Sequence, residues 1–244
     1  MEHVINAIVT RATDYKDSDK ILTLYSLEKG KISAGIKGVK KASAKLKFAS
    51  EPFCFAEYVL AEKSGRFTVI GASHLDSFYN LRLDMLKYYC SAVVIETVNL
   101  LVNDFEPDAP LFSLVIETAK RLNYQKNELL SLASYLISLT TILGYKIEEF
   151  ACSSCGELVS GRVFFNPQTA EFCCFSCREN GFMEIMPETY NALKALTKNP
   201  EETNLSESAV IKLIRFLFFY LNVKTDITLK SATSLLQYIK QTIN

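Results

Sequence analysis

The sequence predicts an α+β chain of more than one domain: a small N-terminal β-barrel, then an all-α domain carrying an inserted four-cysteine module. Three observations predict it. Up to about residue 78, short apolar runs alternate with turn residues at close intervals. From about Leu81 the apolar period lengthens to that of helices. Between helical stretches, four cysteines fall in two C-x2-C pairs.

The strands are placed in order. Val4 to Thr10 is the first, and Lys20 to Leu27 alternates into a second. Glu28-Lys29-Gly30 turns the chain into Lys31 to Ile36. Phe53 to Ala61 follows, and Lys63-Ser64-Gly65-Arg66 forms a hairpin turn into Phe67 to Ala72. Five short strands without a long intervening helix suggest a closed barrel, with an open meander or an SH3-like barrel as alternatives. Helices are expected over Leu83–Asn103, Leu111–Asn123, Glu128–Leu143, Pro187–Thr197, Ser206–Asn222 and Ser231–Thr242, with Gly144 ending the third. The expected domains are residues 1–79 (barrel), 80–150 with 186–244 (helical), and 151–185 (cysteine insertion).

The chain of 244 residues is 49% apolar and 22% charged, with 12 Tyr and 16 Phe, enough large side chains for more than one core. Residues 1–20 lack both a basic start and a continuous apolar core, so no leader is expected. The longest uncharged stretch, Leu129 to Tyr145, is shorter than the roughly 20 apolar residues of a membrane span. Its leucines follow one helix face. A cytoplasmic chain with no membrane contact is expected.

The cysteine segment reads CSSCGELVSGRVFFNPQTAEFCCFSC. Cys152-x2-Cys155, an 18-residue gap and Cys174-x2-Cys177 match the spacing of a four-thiolate zinc site. Two C-x2-C turns complete a tetrahedral shell and leave no coordination position for water or substrate, so the zinc is expected to be structural. Gly156 suits the tight turn after the second thiolate. Cys173 adjoins Cys174 and competes with it as ligand, but only Cys174 preserves the x2 spacing. A hairpin is expected between the pairs, from Gly161–Phe165 and Thr169–Phe172. Cys54, Cys90 and Cys173 are expected to pack as small apolar side chains.

Seven lysines (Lys29, Lys31, Lys37, Lys40, Lys41, Lys45 and Lys47) fall in nineteen residues without an acid among them. Residues 1–80 carry a net +3, balanced by −3 over the rest, so the neutral total conceals an asymmetry. Gly35 and Gly38 place part of the run on a mobile loop. Lysine is a point charge suited to phosphate, so Lys31, Lys37, Lys40, Lys41, Lys45 and Lys47 are the candidate nucleic-acid contacts. Their binding should be largely sequence-independent and salt-sensitive. Tyr15, Tyr25, Phe48 and Phe53 are candidates for base stacking, with core packing as the alternative.

Asp14, Asp17 and Asp19 suit a turn and strand start better than a metal site. No nucleotide-binding fingerprint, Ser/His/Asp or Cys/His set, or zinc-deaminase signature occurs, so the chain is not expected to be an enzyme. On the helix AVIKLIRFLFFYL, Lys212 and Arg215 lie one turn apart beside an apolar face that core packing would cover or an acidic peptide could use.

DYKDSDKILTLYSLEKGKISAGIKGVKK (residues 14–41), Lys45-Leu46-Lys47, Glu51-Pro52-Phe53 and the ending LKSATSLLQYI (residues 229–239) resemble the RecO recombination mediators. The order of barrel, helical domain and inserted four-cysteine module is similar too. The resemblance implies an OB-fold barrel and a bacterial DNA-repair protein, cytoplasmic and nucleoid-associated, that binds single- and double-stranded DNA and anneals complementary strands. It further implies that the protein works with RecR to load RecA onto DNA coated by single-strand-binding protein, whose acidic tail it contacts. The family's basic loop maps onto Lys37, Lys40 and Lys41, and its zinc ligands onto Cys152, Cys155, Cys174 and Cys177. Two positions depart from the family pattern: Lys40 and Lys41 stand where arginines are common, and Arg178 where glycine is expected. The competing readings are a zinc-ribbon adaptor of a protein complex and a nucleic-acid-modifying enzyme.

Overall fold

Five strands follow one another through the first third of the chain: β1 Glu2–Tyr15, β2 Asp19–Ser26, β3 Gly30–Ile36, β4 Phe55–Lys63 and β5 Arg66–Asp76. In this computed structural model they close into a barrel in the order β1-β2-β3-β5-β4, with β4 returning to β1. All ladders are antiparallel except β3 with β5, where Ala34–Ile36 run beside Phe67–Val69. This is the closed barrel that five short strands suggest, in the OB-like arrangement that the family resemblance implies. Ile5, Ala7 and Val9 of β1, Leu22 and Leu24 of β2, Ile32, Ala34 and Ile36 of β3, and Ala56, Tyr58 and Leu60 of β4 fill the barrel. Burial pushes the Tyr58 phenol up, and its hydroxyl donates to Ala49 O at 2.9 Å.

The structure describes residues 1–200 and 204–242. Residues 201–203 and 243–244, which the sequence assigns to the helical domain, lie outside them. β1 runs five residues past the expected end at Thr10, through a register shift between Val9 and Arg11. Of its last residues, Ala12 packs against the barrel core opposite the buried Leu22, while Arg11, Thr13, Asp14 and Tyr15 are exposed, so no apolar alternation marks them.

Among the described residues six helices follow: α1 Met85–Leu101, α2 Ala109–Tyr124, α3 Glu128–Ile142, α4 Pro187–Lys198, α5 Glu207–Thr225 and α6 Lys230–Thr242. The starts of α1, α2 and α5 are capped by Asp84, Asp108 and Ser206, whose side chains accept from Lys87 N, Leu111 N and Ala209 N. Gly144, at φ +83°, stops α3 as expected, donating to Thr141 O.

The chain forms two compact units, one of Met1–Gln125 with the segment from Ser234, the other of Lys126–Thr233. This division differs from the expected one, because α1 and α2 belong with the barrel. Ile8 of β1 lines an apolar seam with Val94 and Ile95 of α1 and Val115 of α2, and Thr10 Oγ1 donates to Asn99 Oδ1 at 2.8 Å. The sequence boundary follows the change of period, whereas the packing follows the outer apolar face of β1.

In the second unit, a three-stranded sheet ordered β7-β6-β8 is built from β6 Val163–Asn166, β7 Glu171–Cys174 and β8 Met183–Ile185. The expected hairpin forms, and β8 adds a third strand that the sequence reading did not anticipate. Phe165 of β6 and Phe172 of β7 are fully buried against Tyr190 of α4 and Phe216 and Tyr220 of α5, with ring centroids 4.9–5.6 Å apart.

Candidate metal centre and nucleic-acid interface

The first cysteine pair sits beside β7. Cys152 N donates to Glu157 O and Ser153 N to Phe172 O, while Gly156, at φ +75°, returns its N–H to Cys152 O at 2.8 Å. The second pair spans the end of β7 and the 3₁₀ turn Phe175–Cys177. The four Sγ atoms of Cys152, Cys155, Cys174 and Cys177 all lie within 4.8 Å of one another. A tetrahedral shell with metal–sulfur bonds of about 2.3 Å needs sulfurs about 3.8 Å apart, so the four fit a metal ion.

The electrostatics agree with that fit. Desolvation opposes ionisation of Cys152, but N–H groups of Cys174, Cys155 and Ser154 outweigh it and hold the thiol at about 6. Cys177 is pushed up to about 12, first by hydrogen bonding to Cys174 and then to Cys155. Backbone donors thus favour a thiolate in a cluster whose four sulfurs could not all ionise without a cation among them. Cys173 pairs opposite Phe164 and is buried, which pushes its thiol up to about 11. Strand alternation turns it away from its neighbour, and Cys174 is the one in the cluster. Arg178 lies over Phe164 and Phe175, and Arg162 stacks on the same rings while forking onto Glu184 at 2.8 and 2.6 Å.

On the barrel, Lys37, Lys40, Lys41, Lys45 and Lys47 are exposed. The segment carrying them is a series of turns with several contacts to the barrel. Val39 enters the barrel core, and Leu46 and Phe48 pack against it. Gly38 N donates to Asp19 Oδ1 at 2.7 Å, Lys40 N to Ser18 O at 3.0 Å, and Lys40 Nζ to Asp14 Oδ2 at 2.7 Å. Asp14 and Asp19 therefore serve as anchors, in keeping with a turn role.

Lys31 is placed differently from the other five. Its Nζ donates to Asn99 O at 3.0 Å and Val102 O at 2.6 Å, and lies 3.4 Å from Asp104. It satisfies carbonyls at the C-terminal end of α1, where a cation is favoured. No local pattern in the sequence announces this partner, about seventy residues away.

Beside the loop runs an open groove of about 620 Å³ whose walls include Tyr15, Ile21, Gly35, Lys37, Arg66 and Phe105. It lies over β2, β3 and the β4–β5 turn, the face on which OB-folds take oligonucleotides. Of the four stacking candidates, Tyr25 and Phe53 are buried and Phe48 is half-buried; Tyr15 alone lies exposed in the groove. Phe105 was missed by the sequence reading because it sits between acids in an interhelical connection. In the second unit, Lys212 Nζ pairs with Glu188, while Arg215 is exposed. No helix among the described residues is long and apolar enough to cross a membrane.

Family models described as Recombination protein O N terminal and C terminal match residues 1–78 and 82–233. The DNA repair protein RecO of Desulfitobacterium hafniense (strain DSM 10664 / DCB-2) is 30% identical over 177 residues, covering 72% of this chain and 64% of that protein. The RecO of Clostridium novyi (strain NT) is 28% identical over 197 residues, covering 80% and 77% of the two chains. That of Bacillus pumilus (strain SAFR-032) is 26% identical over 237 residues, covering 97% and 84%. The match thus spans slightly under two thirds of the Desulfitobacterium protein and more of the other two. With its OB-like barrel, its helices and its clustered cysteines in this order, the chain belongs to the recombination protein O (RecO) family.

Proposed function

We propose that this protein is a DNA-binding recombination mediator that anneals complementary strands without catalytic turnover. One observation carries the reading: five exposed lysines stand on an anchored loop beside an open groove on the outer face of a closed barrel. Two DNA strands repel each other through their phosphates. A cluster of ammonium groups displaces condensed counterions and lowers that repulsion as the strands approach. Lysine also makes few base-specific demands, which suits annealing of any sequence.

In this reading the protein takes single- and double-stranded DNA. It acts with RecR to load RecA onto DNA covered by single-strand-binding protein, whose acidic tail it contacts, and it works in the cytoplasm at the nucleoid. Cys152, Cys155, Cys174 and Cys177 hold a structural zinc ion. The metal fixes the two knuckles, and four protein thiolates fill its shell.

Mixing complementary oligonucleotides tests the proposal. The protein should accelerate duplex formation, and Lys37→Glu, Lys41→Glu and Lys45→Glu together, which leave the Asp14-paired Lys40 in place, should abolish the acceleration in a folded protein. A parent protein that leaves the annealing rate unchanged would favour the adaptor reading. Capture of single-strand-binding protein, intact but not tail-less, would separately test the partner.

A further inference from the structure

We infer that Phe105 is a base-stacking residue and that the groove it walls takes an unpaired strand in preference to duplex. The inference rests on the reading of the barrel as a nucleic-acid-binding face, and it concerns a residue from outside the five strands. Phe105 follows α1 and is 60% exposed. Its φ is +63°, a left-handed conformation that a bulky residue adopts only at a cost in strain.

The surrounding chain holds that conformation from several directions. Phe105 N donates to Lys31 O at 3.0 Å, and Asp104 forms a parallel bridge with Lys31. Gly30 approaches so closely that a Cβ there would stand 2.3 Å from Glu106 O. The connection is therefore laid along β3 as a short extra edge, and its one large apolar side chain is turned outward. Core packing does not explain this: the ring's aromatic neighbour is Phe67, at 6.3 Å, along the same groove.

The rest of the groove has matching chemistry. Tyr15, also exposed, supplies another ring, and Gly35 leaves part of the floor without a side chain. Lys37 and Arg66 bring positive charge to the walls, while Asp19 and Asp104, which also line it, are engaged by Gly38 N and Lys31. Exposed rings, a low floor and cationic walls bind single strands, because an unpaired base offers a face to stack and a base inside a duplex does not.

The chain contains no tryptophan, so Phe105→Trp introduces a single reporter. Oligothymidine should quench its emission saturably, and a hairpin duplex bound to the same occupancy should not. Phe105→Leu keeps apolar bulk but loses the aromatic face, and should weaken oligothymidine binding roughly tenfold. It should leave duplex affinity unchanged, and Phe105→Tyr should bind as the parent does. Tryptophan emission blind to a bound single strand, or a Leu variant binding oligothymidine like the parent, would overturn the inference. If the parent binds both DNA forms, the barrel reading survives that failure; a parent that binds neither overturns both.

Discussion

Asp19 Oδ1 accepts the Gly38 N–H at 2.7 Å, tying the turn between β1 and β2 to the first turn of the lysine loop. The same contact, ahead of desolvation, which opposes it, and the Ser18 hydroxyl, holds the Asp19 carboxyl below its ordinary value of 3.8. A folded value below the unfolded one contributes stability that is complete above the ordinary carboxylate range. That contribution is lost as pH falls through the lower folded value. Urea unfolding of the parent should therefore weaken more between about pH 6 and about pH 3 than that of Asp19→Asn, which keeps an acceptor but does not titrate. Parallel pH profiles would show that the anchor adds nothing.

Gly30 and Gly38 both have φ +65°, yet their surroundings differ. A Cβ on Gly30 would collide with the Glu106 backbone, whereas the nearest atom to one on Gly38 is Lys41 Cδ at 3.9 Å. Gly38→Ala should cost about 1 kcal/mol for its left-handed backbone alone. Gly30→Ala should cost roughly 2–4 kcal/mol and release the segment around Phe105. Denaturant titration of both variants distinguishes them, and equal costs would contradict the close packing of residues 104–106 on β3.

Cys155→Ser should lower bound zinc and loosen the two knuckles while the hairpin stays in place. Phe165 and Phe172 are fully buried among α4 and α5 side chains and do not depend on the metal for their contacts. In hydrogen exchange, protection should fall at residues 152–158 and 174–177 and persist across β6 and β7. Loss of protection throughout 151–185 would mean that the metal, rather than the aromatic cluster, holds the sheet. A parent protein that binds no zinc would contradict the site itself.

What was legible in the sequence was what repeats or pairs locally. Short apolar runs between turn residues placed the five barrel strands, and x2 spacing selected Cys174 over Cys173, because both signals lie within a few residues. The features that escaped depend on distant partners. Lys31 reads as one more lysine in a basic run until the end of α1 is brought over it. Phe105 reads as a stray aromatic until β3 fixes its backbone. β8 has three residues, too few to show a period, and β1 continues past Thr10 with Ala12 alone of its last five residues packed on the core, too little to show an alternation. The contacts of the loop escaped for a related reason: Gly35 and Gly38 signal turns, but the anchors at Asp14, Ser18 and Asp19 lie on another strand pair.

If the exposed lysines of the 37–47 loop bind phosphate, the salt dependence of DNA affinity must change when they are removed. Each phosphate contact to a single strand contributes about −0.7 to the slope of log K against log salt. Lys37→Ala, Lys41→Ala and Lys45→Ala together, leaving the Asp14-paired Lys40 in place, should make that slope shallower by about 2 and weaken binding alike for all sequences. A folded triple variant with the parent's affinity and slope would show that these lysines do not bind the phosphates.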